Sequence, residues 1–263
     1  MAPHCRRCKI AAAMMTPRPL DSDTVRVRWL AVDAEAAAHQ PRWRAMLDAD
    51  ELAQADRYYF ESDRAVYTAA HALARAMLSE ATGLPTASWR YTKRAFGKPA
   101  LAEACAGCGL RFNISHTHGF VACAIARDEV GVDVEASDRR TNFAIADRFF
   151  APEEAQLVNA ASGERQRILF FRFWTLKEAF IKATGEGLRR PLDSFSFSFD
   201  PLRVAFHPER EDTPRYDDPA GWQFFTRLAA PDRPLALAVR RDQALALRLD
   251  MGTATAGEVM AWA

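Results

Sequence analysis

Asp133, Glu135, Glu178 and Lys182 have the residue types and the spacing for phosphoryl chemistry. In EVGVDVE, residues 129–135, three valines alternate with Gly131, Asp133 and Glu135. Successive side chains of a strand point to opposite faces, so the valines share one face and the two carboxylates the other, roughly 7 Å apart. A solvated face would accommodate two like charges side by side, and so would a cation held between them. The second stretch, RQRILFFRFWTLKEAFIKATG over 165–185, places Glu178 and Lys182 at i, i+4 on one face of a predicted helix. Such pairs are commonly surface ion pairs. Here Leu169, Phe173, Leu176 and Phe180 form a core stripe on the same helix, and polar groups on a buried helix are costly unless they are used. Were Asp133, Glu135 and Glu178 to converge, the three carboxylates would repel and raise one another's pKa values. Mg²⁺, or Mn²⁺, resolves that conflict, because it takes oxygen ligands and keeps waters and phosphate oxygens in its shell.

A phosphate-bearing substrate also needs cations. Arg57, Arg64, His71 and Arg75 fall within a stripe about 40° wide if residues 51–83 form one helix, stopped by Gly83 and Pro85. A stripe of this kind is more often a solvated face. Lys93, Arg94 and Lys98 crowd a turn stiffened by Gly97 and Pro99. Ser115 and His116 sit at a predicted strand end, where a hydroxyl, an imidazole and free backbone N–H groups can meet an anion. No Ser-His-Asp or Cys-His set is legible, and His4, His39, His118 and His207 carry no signal.

These residues need a scaffold. Strands are predicted over 25–32, 88–101, 110–126 (two, joined at SHTHG), 129–135 and 193–199, with further strands in WQFFTRLA and LALAVRR. Helices are predicted from about Asn142, from Pro152, where Glu153 and Glu154 follow the proline, and over 165–185, closed by Gly185. Short strands with interposed helices and no fixed-period repeat give an α+β fold. The 263 residues, 49% hydrophobic and 26% charged, are those of a globular protein of one large domain or two lobes. Thirty-five Lys and Arg against 34 Asp and Glu leave a net charge of +1, so no global field points to nucleic acid or membrane. Neither a membrane span nor a secretory signal is present, which gives a cytoplasmic protein. Cys5/Cys8 and Cys105/Cys108 form two C-x-x-C pairs, with Cys123 apart; nearly a hundred residues between the pairs favour reduced thiols over a zinc site.

The motifs together resemble the 4′-phosphopantetheinyl transferase superfamily, of the surfactin-synthetase-activating (Sfp) type. The resemblance rests on Val130-Gly-Val-Asp-Val-Glu135 followed by Phe173-Trp-Thr-Leu-Lys-Glu-Ala-Phe-Ile-Lys182. Gly97-Lys98-Pro99, Phe112-Asn-Ile-Ser-His116, Arg148-Phe-Phe150 with Glu154, and Gly185-Glu-Gly-Leu188 leading to Pro191-Leu-Asp-Ser-Phe195 add to it, over residues 20 to 240. It implies two similar lobes related by a pseudo-twofold axis, with the active site in the cleft between them and coenzyme A bound there. The expected division is an extension over 1–19, poorly ordered, lobes over 20–128 and 129–245, and a tail over 246–263. The implied reaction transfers phosphopantetheine from coenzyme A to a serine of an apo acyl, peptidyl or aryl carrier protein and releases adenosine 3′,5′-bisphosphate. The resemblance also implies a monomer. Asp133, Glu135 and Glu178 match the metal-binding acids. Glu178 matches the base, and Lys182 the contact to the pyrophosphate. Lys98, Ser115 and His116 match coenzyme A contacts, His116 near the 3′-phosphate, and Lys93 a nucleotide contact. Family members often carry basic residues just ahead of the first long helix, where this chain has Glu51 and Gln54; Arg57 or Arg64 would substitute. The 142–160 region is the expected carrier surface by family analogy. Fatty acid, polyketide, peptide and siderophore carriers all remain open, as do two rival functions: a Mg²⁺-dependent nucleotide pyrophosphate hydrolase and a non-catalytic coenzyme A-binding protein.

Overall fold

The computed structural model describes residues 16–93, 98–207 and 218–262, with only the backbone of Lys93. Cys5, Cys8, Arg94 and Gly97 lie outside the described residues. The first half runs β1 (Thr24–Ala31), α1 (Ala34–Ala37), α2 (Gln40–Met46), α3 (Ala49–Ala55), α4 (Glu61–Thr82), β2 (Tyr91–Lys93), β3 (Pro99–Leu101), α5 (Glu103–Ala106), β4 (Arg111–Thr117) and β5 (Phe120–Ala126). The second runs β6 (Val130–Val134), α6 (Ala146–Phe149), α7 (Pro152–Ala160), α8 (Gly163–Thr184), β7 (Phe195–Ser198), β8 (Arg203–Phe206), β9 (Gln223–Ala230) and β10 (Arg233–Val239). β11 (Arg248–Thr253) and α9 (Ala256–Met260) follow.

The strands make an α+β fold around two principal sheets, ordered β11-β1-β5-β4 and β6-β10-β9. Alternation of side chains gives each sheet two faces, and both are used. Leu30, Val121, Cys123 and Ile125 of the first sheet pack with Ala69, Leu73 and Leu78 of α4. Its opposite face, Val25, Val27, Trp29, Phe120 and Ala122, meets Val130, Val132, Val134, Leu235 and Leu237 of the second sheet. Ala236 and Ala238 on the far side of the second sheet pack with Phe173, Leu176 and Phe180 of α8. The order is therefore helix, sheet, sheet, helix. The valines of EVGVDVE form the layer between the sheets, and Gly131 and Asp133 turn toward α8.

Two expectations change. Residues 51–83 are not one helix: α3 ends at Ala55 and α4 starts at Glu61. Asp48 starts α3 with a capping box, its side chain accepting from the Glu51 N–H while Glu51 accepts from the Asp48 N–H. Arg57 consequently lies in the connecting turn, and the stripe it was expected to share with Arg64, His71 and Arg75 is broken. The end of the chain, expected as a tail from 246, instead completes the first sheet: β11 runs parallel to β1, from Thr24 opposite Arg248 to Trp29 opposite Thr253. Upstream of β1, the Arg18 N–H donates to the Glu80 carbonyl at 2.7 Å and Leu20 is buried. Arg18, within the expected extension, is thus tied to α4. Among the described residues no helix is long and apolar enough to cross a membrane.

Candidate functional site

Gly131 sets the distance between β6 and α8. A Cβ there would stand 2.0 Å from the Ala179 carbonyl oxygen and 2.5 Å from the Ala183 nitrogen, so only glycine lets the helix backbone lie this close to the strand. Gly185 ends α8 in the left-handed region, at φ 78°, where a Cβ is disfavoured. Close packing brings the face of α8 that carries Trp174, Glu178 and Lys182, four residues apart, along the acidic face of β6. Lys182 Nζ lies 2.6 Å from Asp133 Oδ1. One turn plus one turn back, Trp174 Nε1 donates to Glu135 Oε1 at 3.1 Å.

The first sheet closes the cluster from the other side. Ser115 on β4 donates to Asp133 Oδ1 at 2.9 Å and accepts from Lys182 Nζ at 2.9 Å and from the Val134 N–H at 3.2 Å. Two residues earlier on β4, Asn113 Oδ1 accepts from the Val132 N–H at 2.9 Å. These two side chains take the place of a backbone ladder between β4 and β6, which belong to different sheets. The cluster thus lies where the two halves of the molecule meet.

The electrostatics single out two carboxylates. Asp133 is 3% exposed, and its Oδ2 has no hydrogen-bond partner among the described residues. A buried carboxylate oxygen left in that state is costly and suits a ligand. Glu178 makes no hydrogen bond or ion pair among the described residues, and its pKa is pushed up to about 7 by burial and by the Asp133 charge, with Lys182 opposing. Glu135 is also raised, by burial first and the Asp133 charge second. Its two oxygens are already held, by Trp174 and by Arg139 at 3.0 Å. Among the described residues no three His, Cys, Asp or Glu side chains are grouped closely enough to enclose an ion. Even so, the acids at the seam offer carboxylate oxygens, three of them uncommitted among the described residues (Asp133 Oδ2 and both of Glu178), and this chemistry fits Mg²⁺ or Mn²⁺ rather than zinc.

The structure brings Ser115, Asp133 and Lys182 into direct contact and couples Glu135, Glu178 and His116 to them. His116 exposes much of its ring, yet the surrounding protein and then the Lys182 and His71 charges hold its pKa below the usual value. The other expected phosphate contacts are placed differently. Lys98 is 8% exposed, donates to the Ala183 carbonyl at 2.8 Å and lies 3.6 Å from Glu129, so its ammonium caps the end of α8. Arg57 is exposed, with Gln54 as its partner at 3.4 Å, and Arg64 donates to the Tyr58 carbonyl at 3.0 Å. The side chain of Lys93 is outside the described residues. The sequence reading gave no role to Trp174, Asn113 or Arg139. The spacing of Trp174 before Glu178 and Lys182 was the available signal for the first; the contacts of Asn113 depend on tertiary packing. A hollow of about 480 Å³, lined in part by Arg172, Phe225, Arg227 and Met251, shares no residue with the cluster.

The family model described as "4'-phosphopantetheinyl transferase superfamily" matches residues 129–239, and "4'-phosphopantetheinyl transferase, N-terminal" matches residues 36–128. The chain is 34% identical to 4'-phosphopantetheinyl transferase HetI of a Nostoc species over 163 residues, 61% of this chain and 68% of that protein. It is 30% identical to 4'-phosphopantetheinyl transferase ffp of Bacillus subtilis over 198 residues, 73% of this chain and 87% of the other. It is also 30% identical to 4'-phosphopantetheinyl transferase Sfp of Bacillus subtilis over 155 residues, covering 59% and 67%.

Proposed function

We propose, because this chain belongs to the 4′-phosphopantetheinyl transferase superfamily and is an enzyme of that family, that it moves the 4′-phosphopantetheine arm of coenzyme A to a serine hydroxyl of an apo carrier protein. Adenosine 3′,5′-bisphosphate leaves. The observation that carries this reading is the seam cluster, in which Lys182 contacts Asp133 and Ser115 while Asp133 Oδ2 and Glu178 stay uncommitted.

The chain's own groups divide the chemistry. Lys182 Nζ can turn from Asp133 to a phosphate oxygen and stabilise charge on the transferring and leaving groups. Glu178, with a pKa near 7, is matched to accept the proton of the incoming serine hydroxyl near neutrality. Ser115 keeps Asp133 and Lys182 in register across the seam. Trp174 and Arg139 hold Glu135, so that it serves chiefly to fix the wall of the site. Mg²⁺ or Mn²⁺, held by Asp133 and Glu178 with Glu135 beside them, would supply charge neutralisation for the diphosphate when bound. His116 faces the nucleotide end. No covalent nucleophile from this chain is required. The protein acts in the cytoplasm as a monomer, and the exposed part of 142–160 receives the carrier; Leu157, 51% exposed, lies there. Polyketide and nonribosomal peptide carriers are within this substrate class.

Incubation with coenzyme A, Mg²⁺ and an apo carrier protein is expected to add about 340 Da to the carrier by intact-mass spectrometry, the mass of the transferred arm. Coenzyme A cleaved with every carrier left unmodified would favour a pyrophosphate hydrolase. Coenzyme A bound but intact would favour a binding protein.

A further inference from the structure

We propose that His71, clamped by Glu51, is the group with which this protein recognises a phosphate monoester at the nucleotide end of its substrate, an inference that rests on coenzyme A being that substrate. Asp63, Tyr67, His71 and Arg75 recur every four residues along α4 and so share one face. Arg75 is fully buried and fully committed. It donates to the Thr86 and Trp89 carbonyls at 2.8 and 3.1 Å, to Asp48 Oδ2 at 3.0 Å and to Glu51 Oε2 at 2.5 Å. Glu51 Oε2 also accepts from the Asp48 N–H at 2.9 Å. That leaves Glu51 Oε1, which lies 2.6 Å from His71 Nδ1.

The ring of His71 is fixed in plane as well as in direction. Tyr67 stacks on it with centroids 4.2 Å apart, and Tyr91 lies edge-on at 6.4 Å. With the carboxylate on Nδ1, the nitrogen left for a ligand is Nε2. That atom has no partner among the described residues, and the side chain keeps 14% of its surface exposed. Asp48 and Glu51 carry two formal negative charges against the one positive charge of Arg75, so the cluster has room for a second cation. When both ring nitrogens carry protons, a ring placed between the Glu51 carboxylate and an arriving phosphate makes charge-assisted bonds to both.

Strand β4 joins His71 to the seam cluster. Ser115 lies on the side of β4 that meets Asp133 and Lys182, and alternation puts His116 on the other side with Phe112 and Ile114, which pack with α4, the helix of His71. The charges of both Lys182 and His71 reach His116. A diphosphate at Lys182 leaves His71 for a second, separate phosphate. The segment ahead of α4 has Glu51 where relatives are expected to have a base, and here that acid serves to hold a histidine delivered from the helix.

Calorimetric titration of the full chain with adenosine 3′,5′-bisphosphate and with adenosine 5′-monophosphate tests the assignment, using the wild type, His71→Gln and His71→Phe. The phenylalanine keeps the stack on Tyr67 and removes both nitrogens. The wild type is expected to prefer the bisphosphate, and each variant to bind it about tenfold more weakly while its affinity for the monophosphate changes less than about twofold. Equal weakening of both ligands, no weakening, or no preference in the wild type would overturn the proposal. The readout needs no carrier. A His71-dependent preference in a protein that modifies no carrier would keep this inference and refute the transfer, and carrier modification with unchanged affinities in the variants would do the reverse.

Discussion

The two oxygens of Asp133 have opposite surroundings: Oδ1 contacts Lys182 and Ser115, and Oδ2 contacts no donor among the described residues. That asymmetry, with Glu178 unpaired one turn from Lys182, is what the chemistry is built on. Asp133→Ala and Glu178→Ala are each expected to lower the rate of carrier modification by roughly a thousandfold while leaving the fold intact by circular dichroism. A rate within tenfold of normal in either variant would contradict the roles given to them. Glu178 also predicts a pH dependence in ion-free protein. Its pKa is about 7 in the fold against an ordinary 4.5. Between those values the folded chain holds a proton that the unfolded chain has lost. Its contribution therefore falls as pH rises from about 4.5 to about 7, by on the order of 2 kcal/mol. Urea titrations in a chelator at pH 5 and 7.5 should show this slope in the wild type and lose it in Glu178→Gln; equal slopes in both would refute the assignment.

At the scale of elements, the site depends on how closely α8 approaches β6. Gly131→Ala would drive a methyl group into the backbone of α8 and is expected to cost about 3 kcal/mol or more, read from the urea midpoint, with loss of transfer in whatever remains folded. A variant of normal stability would mean that the helix can withdraw without consequence. This element pair was legible in the sequence because its signals are local: alternating valines give the strand, and the 3.6-residue stripe of Phe173, Leu176 and Phe180 gives the buried face of the helix. Both were found as expected, each of those three residues fully buried. The break between α3 and α4 was not legible. Its cause is the Asp48–Glu51 capping box and the turn after Ala55, which a count of helix-forming residues passes over. The surroundings of Lys98 were not legible for a similar reason. A lysine after a basic turn reads as an anion contact, and only the fold shows that a helix end lies against it.

The whole molecule has one feature that a linear reading cannot supply: the core between the two sheets belongs to both halves. Val130, Val132 and Val134 are fully or almost fully buried against the first sheet, and β11, from the end of the chain, is part of that sheet. We propose the division into lobes near residue 128, and predict that residues 129–245 expressed alone will be aggregated or unfolded by circular dichroism and size-exclusion chromatography. A folded, monomeric fragment would show that the shared core is dispensable. Asn113 and Ser115 cross the same boundary, so the first half contributes side chains that brace the cluster. The central claim is that Asp133 from the strand and Glu178 from the helix grip one divalent ion between the halves. Titration of Mn²⁺ into the protein with coenzyme A, followed by electron paramagnetic resonance, tests it most directly. The wild type is expected to take up one ion per chain, and Asp133→Asn and Glu178→Gln to bind it at least about tenfold more weakly; unchanged uptake in both variants would contradict the claim.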